Sequence, residues 1–128
     1  MPISYKLIQR PEPGVAGGGV KKWYASLVLK EELTIDDLVK SIEKFSALSE
    51  PDIRGVIVAL ENVIQTELGN SRAIRLEKLG SLYPSISSMG MENEADFSHA
   101  QIRGISVRYR PGKRILDSVR AAGLKKEG

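Results

Sequence analysis

The sequence predicts an α+β fold, with strand patterns toward both ends of the chain and helical patterns in the middle. Three observations carry this. Apolar and polar residues alternate over residues 3–10 and again over 105–110, the period of two that marks strands. Between them, from Thr34 to Asn70, large aliphatics recur at helical spacing. Clusters of proline and glycine fall where the period changes, at "PEPGVAGGG" and at Pro111-Gly112.

The first segment, "ISYKLIQR", sets Ile3, Tyr5, Leu7 and Gln9 against Ser4, Lys6, Ile8 and Arg10, a strand pattern. Two prolines and four glycines between Pro11 and Gly19 force a loop. "KWYASLVLK" is rich in β-formers and reads as a second strand returning from it, so the two can pair as a hairpin. "TIDDLVKSIEKF" places Ile35, Leu38, Val39, Ile42 and Phe45 at helical spacing, with Thr34 and Asp37 as a variant capping box. Ser49 is a natural N-cap for a second helix with Pro51 in its first turn, and Gly69-Asn70 ends it. Ile53, Val56, Ile57, Leu60, Val63, Ile64 and Leu68 make that helix's stripe broader than one antiparallel partner requires, which hints at packing on another subunit.

"RAIRLEKLGSLYPSISS" reads as a single bent strand, with the bend at Leu79-Gly80. The polar "MGMENEADFSHAQ" is a hairpin tip or arm. "IRGISVRYR" then puts Ile105, Val107 and Tyr109 on one face and Ser106, Arg108 and Arg110 on the other, a half-buried strand with a basic outer face. Pro111-Gly112 ends it, and Ile115, Leu116, Val119 and Ala122 form a short helix closed by Gly123. The expected order is β-β-α-α-β-β-α.

Composition narrows the function classes. A chain of 128 residues is one domain's worth, enough to bury roughly 65% of its unfolded surface. There is no Cys and a single His, His99, so disulfides, thiolate metal sites and most histidine chemistry are excluded. No run of apolar residues is long enough to span a membrane and the start lacks a signal-peptide pattern, which makes a cytoplasmic location the expectation. Net charge is only +3, but residues 34–70 hold three basic and seven acidic groups whereas residues 102–128 hold eight basic and two acidic. Such asymmetry suits a basic surface for a polyanion, and it also suits a solvated lysine-rich tail.

The order and spacing of "KLGSL" (Lys78 to Leu82) and "YRPGKRILDSV" (Tyr109 to Val119), following two helices, resemble the bacterial histone-like HU and integration host factor family over roughly residues 34–122. In that family a "GFGTF"-like bend precedes a long β-arm and an "F-K/R-P-G-K-x-L-K-x-x-V" end. The resemblance implies a two-helix base, a three-stranded sheet and a short C-terminal helix in an intertwined homodimer that binds nucleoid DNA across a saddle. It implies two parts: residues 1–33 as an N-terminal β extension and residues 34–128 as the HU-like domain. Ile53, Val56, Ile57, Leu60, Val63, Ile64, Phe45, Leu79 and Leu82 would then form the dimer core. The arm departs from the family. Where relatives carry a basic "RNPxTG" tip whose proline wedges between base pairs, this chain has no proline, no arginine before Arg103, and the acidic Glu92, Glu94 and Asp96.

The candidate DNA-binding set is Arg103, Arg108, Arg110, Lys113, Arg114 and Arg120, with Arg72, Arg75 and Lys78 from the preceding segment. Phosphates require cations and free N–H groups at short range, and the Pro-Gly corner would present a helix start beside Lys113 and Arg114. The alternative is that these cations merely solvate an exposed strand and helix. "GVAGGG" lacks the Lys-Ser/Thr of a phosphate loop and is not followed by a helix. Trp23, Tyr5 and Tyr24 suit a core or interface better than base stacking. His99 among acids has nothing to fix ligand geometry. No nucleophile, base and orienter can be assembled, so neither an enzyme nor a cofactor, metal or small-molecule substrate is expected. The expected partners are double-stranded DNA and a second copy of the chain, with no membrane. The alternative function is an HU-like scaffold repurposed for protein interaction.

Overall fold

The computed structural model describes residues 2–127 and divides the chain into two compact units, residues 1–34 with 117–128, and residues 35–116. It is a mixed α+β structure with three α-helices and two three-stranded sheets.

The first unit holds the sheet β2-β1-β6. β1 (Ile3–Arg10) and β2 (Lys22–Leu27) form the expected antiparallel hairpin, from Tyr5 opposite Leu27 to Arg10 opposite Lys22. Their connection is held by Glu12 N–H donating to the Gly18 carbonyl at 2.7 Å and by an ion pair of Lys22 with Glu12 at 2.8 Å. Gly18 sits at φ +84° where a Cβ would press on Pro11, which accounts for glycine there. β6 (Leu124–Lys126) was not expected. It pairs parallel with β1, Ile3 beside Leu124 and Tyr5 beside Lys126. Two of its three residues are lysines, so no alternation marks it as a strand; backbone hydrogen bonds from Ile3 to Gly123 and from Glu127 to Tyr5, both 2.8 Å, create it. Ser4 on β1 is buried, and its hydroxyl has no hydrogen-bond partner among the described residues.

The second unit contains α1 (Ile35–Glu43), α2 (Glu50–Gly69) and the antiparallel sheet β3-β4-β5. Ser49 caps α2 as its sequence position predicts: its Oγ accepts from Asp52 N–H at 3.4 Å and donates to Asp52 Oδ2 at 2.9 Å. The helix ends where Asn70 N–H turns back to Glu67 and Leu68 and Ser71 takes φ +66°. α1 packs against α2, and Arg54 of α2 pairs with Asp36 of α1. The first helix stops two residues short of Phe45, which is 91% exposed.

The expected bent strand is instead a reversal. β3 (Ile74–Arg75) and β4 (Gly80–Ser88) run antiparallel, Ile74 opposite Leu82 and Arg75 opposite Ser81, joined by a 3-10 turn over Glu77–Leu79. Glu77 at φ +53°, Gly80 at φ +116° and a hydrogen bond from Leu76 N–H to the Gly80 carbonyl at 2.7 Å close the turn. β4 continues against β5 (Ile102–Pro111) from Gly80 opposite Pro111 to Ser88 opposite Ile102. α3 (Lys113–Ala121) follows, and the division between the units falls within it.

The apolar surface left open is large. Val39 and Ile53 are the only hydrophobic residues buried among those described, and the chain exposes 10,843 Å². A compact chain of this mass would expose about 6,700 Å², and two separately compact units about 8,000 Å². β5 supplies part of the excess: its apolar face was expected to be half-buried, yet Ile105 is 80% exposed and Val107 and Tyr109 also face solvent. β5 is an edge strand, and Ile105 and Val107 border an open groove whose far wall is α2. No helix among the described residues is long and apolar enough to cross a membrane.

Candidate nucleic-acid interface

Directly opposed residues in a sheet share a face, and alternate residues along a strand share it too. Arg75 on β3 lies opposite Ser81 on β4, and Ser81 lies opposite Arg110 on β5. Two residues along, Tyr83 faces Arg108, and then Ser85 faces Ser106. Arg75, Arg108 and Arg110 therefore belong to one side of the sheet, interleaved with serines and a tyrosine. Arg108 Nε donates to Ser85 Oγ at 3.2 Å, which holds its guanidinium along the sheet. Between the strands, Arg75, Ser81, Tyr83 and Arg110 line a shallow cavity of about 290 Å³. Tyr83, Ser81 and Ser85 were not singled out from the sequence, although their alternation within β4 is the signal that would have found them.

The remaining candidates are placed differently. Arg72 lies in the turn after α2 and pairs with Glu67 at 2.5 Å, so its charge is offset locally. Lys78 lies in the turn between β3 and β4. Arg103 falls at the irregularity where the β4–β5 register shifts, and it donates to the Ser88 carbonyl at 3.2 Å. Lys113 and Arg114 occupy the first turn of α3, which carries no acidic residue. Cations there oppose the helix dipole by about 0.3–1 kcal/mol each, a cost that an anion at the same place would reverse. Arg120 lies in the part of α3 assigned to the first unit.

The corner itself is tightly built. Gly112 lies so close to the chain at Lys78 that a Cβ would fall on the Lys78 carbonyl, and a Cβ on Gly80 would fall on the Arg110 carbonyl. Tyr109 Oη donates to the Leu79 carbonyl at 2.6 Å. The reversal at Leu79-Gly80 and the Pro-Gly corner are therefore one packed crossing.

The arm tip, residues 89–101, is fastened by its own hydrogen bonds. Met89 N–H donates to Gln101, and Ser98 and Gln101 form a reciprocal capping box around a short 3-10 turn. Glu92, Glu94 and Asp96 are exposed there, and no group of three metal-ligating side chains forms among the described residues.

On the opposite side of the β3-β4-β5 sheet lies an apolar groove of about 610 Å³, lined by Ile57, Leu60, Ile64 and Leu68 of α2 with Leu82 and Val107 of the strands. Of the expected dimer-core residues, Ile57, Leu60, Ile64 and Leu82 meet in this groove. Ile53 is already covered within the chain, and Val56, Val63, Phe45 and Leu79 are exposed.

A helix pair, a three-stranded sheet with a tight Pro-Gly corner and a short helix beyond it define an HU-like protein. The family described as "HU domain fused to wHTH, Ig, or Glycine-rich motif" matches residues 1–126, and the chain belongs to this HU-HIG family. The match takes in the N-terminal sheet as well as the helices and the arm. No curated protein matches the chain. Among solved structures it is similar in fold to a Bacteroides vulgatus protein described as a "Putative bacterial DNA binding protein", with a TM-score of 0.69 at 12% identity. That similarity covers 98% of this chain and 48% of the other, so the chain spans about half the length of its structural neighbour.

Proposed function

We propose that the chain is a non-enzymatic, histone-like DNA-binding protein that holds the duplex by its backbone with little sequence preference, acting as a homodimer on nucleoid DNA in the cytoplasm. The observation that carries this is the shared face of Arg75, Arg108 and Arg110, with Lys113 and Arg114 just beyond the corner. Guanidinium and ammonium groups on a sheet contact phosphates without reading bases, and binding gains from the counterions they release. The neighbour described as DNA-binding adds support. Within this reading residues 34–128 form the HU-like domain and residues 1–33 its extension. The apolar groove and the open face of β5 receive the second copy, which brings Ile57, Leu60, Ile64 and Leu82 into a common core. Bending by a proline wedge has no residue to perform it, because the tip has acids in its place.

A salt titration of binding to a ~30 bp duplex tests the proposal, with Arg108, Arg110, Lys113 and Arg114 replaced together by alanine. Each phosphate that is no longer neutralised lowers the slope of log affinity against log salt by about 0.9. No binding at low salt, or a fourfold variant that behaves as the parent, overturns it. The acidic tip favours a second reading, an HU-like scaffold that serves protein interaction; it predicts that outcome.

A further inference from the structure

The charge of the chain is not where the family resemblance directs attention. The second unit holds eleven basic and eleven acidic side chains, whereas the first holds eight basic and five acidic, so the whole net charge of +3 belongs to the first unit. Its sheet is two-sided. The registers place Lys6, Ile8 and Arg10 of β1 on one face with Lys22, Tyr24 and Ser26 of β2, and set Lys125 of β6 beside Ser4 on that face. The other face carries Tyr5, Leu7, Trp23, Leu27 and Leu124, with one cation, Lys126, beside Tyr5. Lys6, Arg10, Lys22 and Lys125 are all exposed. Of these only Lys22 has an ion pair among the described residues, with Glu12. The Arg10 guanidinium lies 4.9 Å from the centre of the Tyr24 ring, a cation–π contact that holds the group over the sheet while leaving its N–H edges available. Lys22 lies directly opposite Arg10, and Lys125 lies one strand over and two residues along from Lys6, each pair within the ~10 Å Debye length of 0.1 M salt, whereas Ile8 sets Lys6 and Arg10 about 13 Å apart, so the potentials add within each pair.

We propose that this face of the β2-β1-β6 sheet is a second contact for the phosphate backbone of duplex DNA, made by Lys6, Arg10 and Lys125 with Lys22 at its margin. It rests on the DNA-binding reading for its ligand but on none of that reading's residues. A sheet face whose cations fall in two groups, Lys6 with Lys125 and Arg10 with Lys22, fits the repeated phosphates of a polyanion, and a contact made to the backbone is sequence-independent and salt-sensitive.

The experiment uses the full chain and a 30 bp duplex over a range of salt. Lys6→Gln/Arg10→Gln/Lys125→Gln is compared with Arg75→Gln/Arg108→Gln/Arg110→Gln, with Trp23 emission and circular dichroism confirming the fold of each. The first variant should lower the salt slope by about 2 to 3, and Lys6→Arg/Lys125→Arg should restore parental behaviour. Lysine acetylation mapped by mass spectrometry on the unmutated chain gives a second measure: bound duplex should protect Lys6 and Lys125. A parental slope in the first variant, or equal acetylation with and without DNA, overturns the second contact while leaving DNA binding intact. A loss in the first variant alone supports it and removes the Arg75, Arg108 and Arg110 face from the function. A parent chain that does not bind duplex at low salt overturns both. Binding of poly-glutamate as tight as that of duplex, lost in the first variant, overturns the nucleic-acid assignment in favour of an acidic protein.

Discussion

In the second unit eleven cations meet eleven anions, yet three arginines still share one sheet face; in the first unit fewer charges produce a net excess on a smaller sheet. The two units also treat apolar surface differently. The second leaves open a groove built from a helix and a sheet, a shape that accepts knobs from another such surface. The first leaves open one flat face of a sheet, with Trp23 65% exposed. What the contrast teaches is that net charge and local charge are separate properties. A neutral unit presents a basic face when its acids are gathered elsewhere, here in the helices and the arm tip.

The contrast can be broken most severely at the crossing. Gly112→Ala puts a methyl group on the Lys78 carbonyl, and a clash of backbone against Cβ should cost more than about 3 kcal/mol. Urea unfolding followed by helical circular dichroism, dominated by α2, should show the loss. Trp23 fluorescence reports the first unit in the same samples, and a coincident shift in both signals would mean the units unfold together. Leu60→Asp places a carboxylate in the apolar groove, where an unpaired buried charge costs about 3–5 kcal/mol. If the groove joins two copies as proposed, light scattering at micromolar concentration should show twice the chain mass for the parent and one 14.1 kDa chain for the variant; equal masses would remove the groove from the interface. Ser49→Ala should cost about 1 kcal/mol through the lost cap of α2, visible in the helical signal. In the first unit Ser4→Ala should stabilise by about 1 kcal/mol, because the buried hydroxyl has no partner to lose. A destabilised variant would show that the hydroxyl is satisfied in solution. Smallest of all, Glu12→Gln should change stability by less than about 0.5 kcal/mol, since its ion pair with Lys22 is solvent-exposed.

Where physical signals are local, the residues announced the structure. Ser49 and Pro51 mark the start of α2 because capping depends on three or four neighbouring residues, and the β1–β2 hairpin follows from alternation on either side of a glycine loop. The family motifs around Lys78 to Leu82 and Tyr109 to Val119 located the sheet and its corner. What stayed hidden depends on partners distant in sequence. β6 exists because β1 lies beside it, and the separation of β3 from β4 depends on φ +53° at Glu77, a residue type that seldom adopts it. The arginine face was half legible: alternation paired Arg108 with Arg110, but Arg75 joined them only through the register with Ser81. The basic face of the first unit was also half legible: alternation put Lys6 and Arg10 on one side of β1, but Lys125 reaches that side only through the pairing with a strand distant in sequence.

That pairing of β1 with β6 also sets an order of events during synthesis. A ribosome releases Ile3–Arg10 and Lys22–Leu27 early, so the hairpin can form within microseconds of emerging. Its third strand, Leu124–Lys126, is made only after residues 35–116, so one edge of β1 waits unpaired while they are translated. At 5–20 residues per second that interval is roughly 4 to 16 s, long enough for an open strand edge to find another nascent chain. Lys6 and Arg10 on β1 are the kind of charges that discourage such encounters, so the same cations would guard the nascent hairpin before they ever meet a ligand.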